Sequence, residues 1–68
     1  MKLKTTKDIA ILIKTERKKQ NLTQTELAGL CSVGLRFIVD VEAGKETCQI
    51  GKVLKVLDVL GINLEIKE

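Results

Sequence analysis

The stretch that decides the fold runs Leu22-Thr23-Gln24-Thr25-Glu26-Leu27-Ala28-Gly29-Leu30-Cys31, then Ser32-Val33-Gly34, then Leu35-Arg36-Phe37-Ile38-Val39-Asp40-Val41-Glu42-Ala43-Gly44-Lys45. Thr23-x-x-Glu26 has the form of a capping box. The hydroxyl accepts from the backbone N–H three residues on, and the carboxylate reaches back to the N–H of the cap. A helix therefore opens at Thr23, with Leu22 before it as a hydrophobic staple. Leu27, Ala28, Leu30 and Cys31 supply its apolar side, and it is short, about eight residues. Ser32-Val33-Gly34 reads as a brief turn. The next helix is predicted from Leu35 to Ala43, with Ile38 and Val41 on its core side and Gly44 placed to end it in a left-handed C-cap.

Working outward, the segment before this pair predicts a helix from about Thr6 to Gln20. Thr6 is its expected N-cap, Asp8 lies in its first turn, and Lys18 and Lys19 sit at its negative end. Ile9, Leu12 and Ile13 make an apolar stripe. Arg17 continues that stripe four residues beyond Ile13, so it should lie at the core boundary and need an acidic partner. Asn21 suits a left-handed helix end. After the pair, Ile50, Val53, Leu54, Leu57 and Leu60 recur at helical spacing, and Gly61 ends that fourth helix.

The tail changes period. Ile62, Leu64 and Ile66 alternate with Asn63, Glu65 and Lys67, the two-residue repeat of a strand with one buried face. A lone strand leaves its backbone donors and acceptors unpaired. Pairing with the same strand of a second copy solves this with an antiparallel ribbon and a symmetric dimer, which makes Ile62, Leu64 and Ile66 the expected dimerisation residues. The competing arrangement pairs the tail with Met1–Lys4, which offers only Leu3 as an inward residue. The expected architecture is all-α, four to five helices with a short C-terminal strand, in one domain over residues 1–68.

Composition narrows the function. A chain of 68 residues holds one domain at most, and a core that small stabilises weakly, so an oligomer is expected. With 44% hydrophobic residues, wholesale disorder is not expected. The absence of His removes Ser–His and Cys–His dyads, a histidine general base and a histidine metal ligand. The Asp and Glu residues read as caps, pair partners and solvated faces, so neither an enzyme nor a cofactor is expected. Cys31 and Cys48 are not spaced as CxxC and are too few for a zinc site; they read as two reduced thiols. No apolar run approaches the ~18 residues of a membrane span. The patch Ile9–Ile13 is too short for a signal sequence, so a cytoplasmic location is expected.

Charge is uneven along the chain. Residues 1–20 carry Lys2, Lys4, Lys7, Lys14, Arg17, Lys18 and Lys19 against Asp8 and Glu16, while the middle of the chain is net acidic. A cationic segment can engage phosphate, but a solvated helix face accounts for it equally well.

The two short helices and their tight turn are consistent with a helix–turn–helix unit. Ala28 faces inward where the helices cross closely, Val33 fills the turn, and Ile38 and Val41 anchor the second of the pair. Such a unit places the N-terminal end of that helix in the major groove while its predecessor crosses the backbone. The alternative is a plain four-helix bundle that uses the same packing for stability alone.

Leu22-Thr23-Gln24-Thr25-Glu26-Leu27-Ala28, then Val33, then Phe37-Ile38-x-Asp40-x-Glu42-x-Gly44-Lys45 resembles the Cro/C1-type (XRE) family of helix–turn–helix regulators, a lambda-repressor-like fold. The ending Leu57-Asp58-x-Leu60-Gly61 and the tail Asn63-Leu64-Glu65-Ile66 resemble the HipB-like antitoxins within it. The resemblance spans about Thr6 to Lys67. It implies that Arg17 pairs with Glu42 as a structural ion pair. It implies that Thr23 and Gln24 hold DNA phosphate, where free N–H groups and the positive helix end attract an anion. Gly34, Leu35, Arg36, Val39 and Asp40 match the exposed recognition face, and Lys45 matches a residue that meets phosphate. Lys18 and Lys19 are long-range contributors at most.

The chain departs from the family where bases are read. Gly34, Leu35 and Val39 cannot hydrogen-bond a base edge through a side chain. Arg36 suits guanine O6 and N7, Leu35 and Val39 suit thymine methyls, and Asp40 can accept from cytosine N4. The functional expectation is a homodimeric repressor on a palindromic operator. The HipB-like resemblance adds a HipA-like kinase toxin as a partner, with the small protein as its antitoxin. Two alternatives remain: a protein-interaction module whose DNA function has decayed, and a phage-type or restriction–modification controller without a toxin.

Overall fold

The computed structural model describes residues 2–65. Four helices follow one another: α1 (Thr6–Lys19), α2 (Gln24–Cys31), α3 (Leu35–Glu42) and α4 (Ile50–Val59). The fold is all-α, and no strand occurs among the described residues.

Local chemistry sets each boundary. Thr5, not Thr6, caps α1: its hydroxyl accepts from Asp8 N at 3.3 Å while the Asp8 carboxylate accepts from Thr5 N at 3.0 Å and Lys4 N at 2.9 Å. The box requires an acid three residues after the cap, and Asp8 stands three after Thr5. Thr6 is thereby free to donate its hydroxyl to the Gly44 carbonyl at 2.8 Å, tying the start of α1 to the end of α3. Thr23 and Glu26 form the second box, at 2.9 and 3.0 Å. Gln20 ends α1, and its side-chain amide donates to the Leu60 carbonyl at 2.8 Å, joining the ends of α1 and α4.

Left-handed residues close the helices. Asn21 (φ 57°), Gly44 (φ 81°) and Gly61 (φ 78°) stand where the sequence places helix ends. Ser32 (φ 55°) does the same for α2, in a turn whose sequence gave no sign of which residue would turn left. Gly44 is doubly constrained, because a Cβ there would lie 3.2 Å from Lys7 Cγ.

The core comprises Ile13, Leu27, Ala28, Cys31, Ile38, Val41, Val53, Val56, Leu57 and Leu60, with Ile9, Leu12, Leu22, Val33, Phe37, Cys48 and Ile62 packed around it. Central in this arrangement, α3 packs on both α1 and α2, and α2 also meets α4. Three apolar residues expected inside lie outside. Leu30, Ile50 and Leu54 are exposed, whereas Val56 is buried. On α4 the buried stripe is Val53, Val56, Leu57 and Leu60, one helix face; Ile50 and Leu54 sit on its shoulder. Leu30 is turned from the face that carries Leu27 and Cys31.

In the tail, Ile62 N donates to the Leu57 carbonyl at 2.9 Å, and Ile62 packs against the core. Leu64 is exposed, and residues 2–5 form no strand that pairs with the tail. Ile66 and Lys67, the rest of the expected dimerisation strand, lie outside the described residues.

Candidate nucleic-acid interface

The α2–α3 pair is held by a buried polar bracket. Arg17 Nε donates to Glu42 Oε2 at 2.7 Å and Nη2 donates to Glu42 Oε1 at 3.0 Å, a bidentate ion pair between α1 and α3. Nη1 donates to the Leu22 carbonyl at 2.7 Å, just before α2. The Gln24 amide donates to Glu42 Oε1 at 3.3 Å. Both charged side chains are nearly sealed from water, 10% and 3% exposed, so each depends on the other for solvation. One arginine thus links α1, the entry to α2 and the end of α3.

This bracket redirects one residue of the anticipated DNA set. Gln24 is half-buried, and its amide is spent on Glu42, so it acts on the inside of the unit as well as at its edge. Thr23 is exposed at the N-terminus of α2, but Glu26 already occupies that helix end. Hydrogen bonds from the Thr23 backbone N–H and from its side chain hold the Glu26 carboxyl below the usual glutamate range.

The outer face of α3 is different. Gly34 caps it, no side chain closes its N-terminus, and no acid lies in its first turn. Its positive end therefore faces outward without a counter-charge from its own first turn. Leu35, at the first turn and beside the buried face, is 46% exposed; the Arg36 side chain, roughly opposite the buried Ile38 and Val41, is 84% exposed. Val39 is half-buried, one turn along the helix from Leu35. Asp40 sits between two cations: its Oδ1 lies 3.2 Å from Arg36 Nε and its Oδ2 lies 3.5 Å from Lys45 Nζ. The chain after α3 folds back so that Lys45 N donates to the Asp40 carbonyl at 3.1 Å, which brings Lys45 beside the helix.

Gly34, Leu35, Arg36, Val39, Asp40 and Lys45 thus run the length of α3 and into the loop after it, with Thr23 at the head of the neighbouring helix. Lys18 and Lys19 are exposed at the far end of α1. Sequence reasoning missed the Gln24–Glu42 bond and the carbonyl of Leu22 as an arginine acceptor; a backbone acceptor leaves no trace in side-chain pattern. It also missed Lys52 Nζ standing 5.8 Å from the Phe37 ring centroid, a contact that steadies the inner edge of α3. The Arg36–Asp40 link, four residues apart on a helix, was legible in principle. Among the described residues no cluster of His, Cys, Asp and Glu is able to hold a metal.

Residues 13–67, most of the chain and all of the α2–α3 unit, match the helix-turn-helix family. The chain belongs to that family, in its XRE-type form. A curated relative from Sinorhizobium fredii, described as "Uncharacterized HTH-type transcriptional regulator y4mF", is 60% identical over 65 residues, covering 96% of this chain and 86% of that protein. Among solved structures, one described as "HipB-O4 20mer complex" and one described as "Structure of HipA-HipB-O2-O3 complex" each superpose with a TM-score of 0.89 at 20% identity, covering 100% of this chain and 96% of that chain. At that identity the likeness establishes the fold. This member is accordingly a DNA-binding transcriptional regulator and not an enzyme. No described helix is long and apolar enough to cross a membrane.

Proposed function

We propose that residues 1–68 act as one domain and that the chain is a homodimeric repressor. It presents the leading end of α3 to the major groove of a palindromic operator. The observation that carries this reading is the pairing of an exposed α3 N-terminus with no side-chain cap, bearing Leu35 and Arg36, with a buried Arg17–Glu42 bracket that fixes the helix behind it. Arg36 would read guanine, and Leu35 and Val39 would lie against thymine methyls. Lys45 and the N-terminal end of α2 at Thr23 and Gln24 would meet phosphate. Two copies joined through the tail at Ile62, Leu64 and Ile66 would double the contact area and the cationic surface.

The likeness to HipB, solved in a HipA–HipB complex, supports a finer reading in which the dimer is an antitoxin that restrains a HipA-like kinase. The tail pattern Asn63-Leu64-Glu65-Ile66 supports the same reading.

A salt titration of duplex binding tests the DNA role. Affinity should fall with a log–log slope of about −0.9 for each phosphate neutralised. Arg36→Ala should relax specificity at one base pair of each half-site. Binding that ignores both salt and Arg36 would overturn the reading. It would favour instead a protein partner on the apolar Leu35–Val39 face, whose exposed Leu35 gives that alternative its support.

A further inference from the structure

Asp40 is an awkward residue for a surface that meets phosphate, because its charge opposes the approach of DNA. Its surroundings give it a different task. Its carboxylate is only 19% exposed, and each oxygen faces a cation: Arg36 Nε at 3.2 Å on one side and Lys45 Nζ at 3.5 Å on the other. Arg36 is by contrast 84% exposed and has no other partner among the hydrogen bonds and ion pairs of the described residues. A free arginine of that exposure samples many rotamers, and each must be given up on binding.

Resting on the DNA-reading function proposed above, we propose that Asp40 is a positioning residue that aims Arg36 at guanine, and that it does not read a base itself. The atoms used decide the geometry. Asp40 takes the Nε side of the guanidinium and leaves the Nη1 and Nη2 donors at its free end. That end presents two parallel N–H groups, the fork that matches O6 and N7 of guanine. Lys45 balances the remaining charge of Asp40, so the strut does not expose a net negative group to the backbone. The cytosine contact open to an unencumbered Asp40 is closed off by these two pairings.

The proposal separates two effects that a structural role would move together. Removing the carboxylate frees Arg36 and lowers guanine discrimination. It also removes a negative charge, so affinity for duplex of arbitrary sequence rises. The test begins with selection of binding sites from random-sequence duplexes by the wild-type protein. Affinities follow at fixed salt for the selected duplex and for versions with each guanine replaced. The wild type should prefer its guanine by about tenfold or more. Asp40→Ala should lose most of that preference and bind arbitrary duplex several-fold tighter, by order-of-magnitude electrostatics. Asp40→Asn, which keeps the shape and one acceptor oxygen, should retain part of the preference, and its circular dichroism should match the wild type. Adding Asp40→Ala to Arg36→Ala should cause no further loss.

Guanine preference preserved in Asp40→Ala would overturn the positioning role alone. So would a loss confined to a cytosine position. A wild type without any guanine preference would instead overturn the assignment of Arg36, and the inference with it.

Discussion

Replacing Arg17 with Ala tests the bracket behind the recognition helix. The substitution deletes three donated hydrogen bonds, at 2.7, 3.0 and 2.7 Å, to Glu42 and to the Leu22 carbonyl. Glu42 is left 3% exposed with only the longer 3.3 Å bond from Gln24. Breaking a buried pair from one side costs about 3–5 kcal/mol, because the survivor's charge stays buried without compensation. A chain of 68 residues has about 3–10 kcal/mol of stability in total, so the variant stands at or near the unfolding threshold. Urea denaturation followed by circular dichroism at neutral pH and one fixed protein concentration reads the loss directly. The double variant Arg17→Met with Glu42→Leu removes both charges together and should recover most of the stability. A single variant that loses less than about 1 kcal/mol would place the pair in the range of an exposed one and contradict its burial. Lowered DNA affinity with an unchanged melting temperature would contradict it too, by giving Arg17 a contact role.

Other outcomes follow from separate features. Ser32 holds a left-handed conformation at φ 55°, so Ser32→Gly should raise stability by about 0.5–1 kcal/mol in the same denaturation assay. Two N-terminal carboxylates are held below their ordinary values: Asp8 by the backbone N–H groups of Lys4 and Thr5, and Glu26 by the backbone N–H and side chain of Thr23. Their folded values are depressed, so the unfolded chain binds more protons as pH falls. The stabilisation they give is present above the ordinary values of 3.8 and 4.5 and is lost as pH drops through the folded ones. Glu26→Gln should flatten acid unfolding in that range, measured by the urea midpoint against pH. Cys31 is fully buried and its thiol is pushed up by burial, whereas Cys48 is half-buried. A thiol reagent near neutral pH should therefore modify Cys48 first and reach Cys31 only as the protein unfolds, which mass spectrometry resolves.

Much of this fold is written in short-range signals. The spacing of Thr23 and Glu26 specifies a helix start because both hydrogen bonds are local. Gly44 and Gly61 mark helix ends because few residues turn left there cheaply. The same spacing, Thr5 to Asp8, marks the start of α1, whereas the hydroxyl of Thr6, the expected cap, has the distant Gly44 carbonyl as its partner. Long-range packing decides what period alone leaves open. Ile50 and Leu54 share the spacing of the α4 stripe, yet the position of α2 leaves them on its shoulder. Leu30 follows the apolar pattern of α2 and lies outside for the same reason. In the candidate site, the exposure of Arg36 follows from the burial of Ile38 and Val41 on the other face of one helix, whereas Leu35, three residues before Ile38, is exposed because it stands at the helix start. The turn of Gln24 toward Glu42 does not follow from any local rule, because it depends on where α3 ends relative to α2.

Entry of the outer face of α3 into the major groove, with Arg36 leading, is open to a direct chemical test. Dimethyl sulfate modifies guanine N7 in that groove and adenine N3 in the minor groove, so footprinting on a selected duplex separates the two directly. Guanine N7 should be protected at two places about one helical turn apart, with that protection lost in Arg36→Ala. Guanine N7 that stays fully reactive at saturating protein, in the wild type, would contradict it.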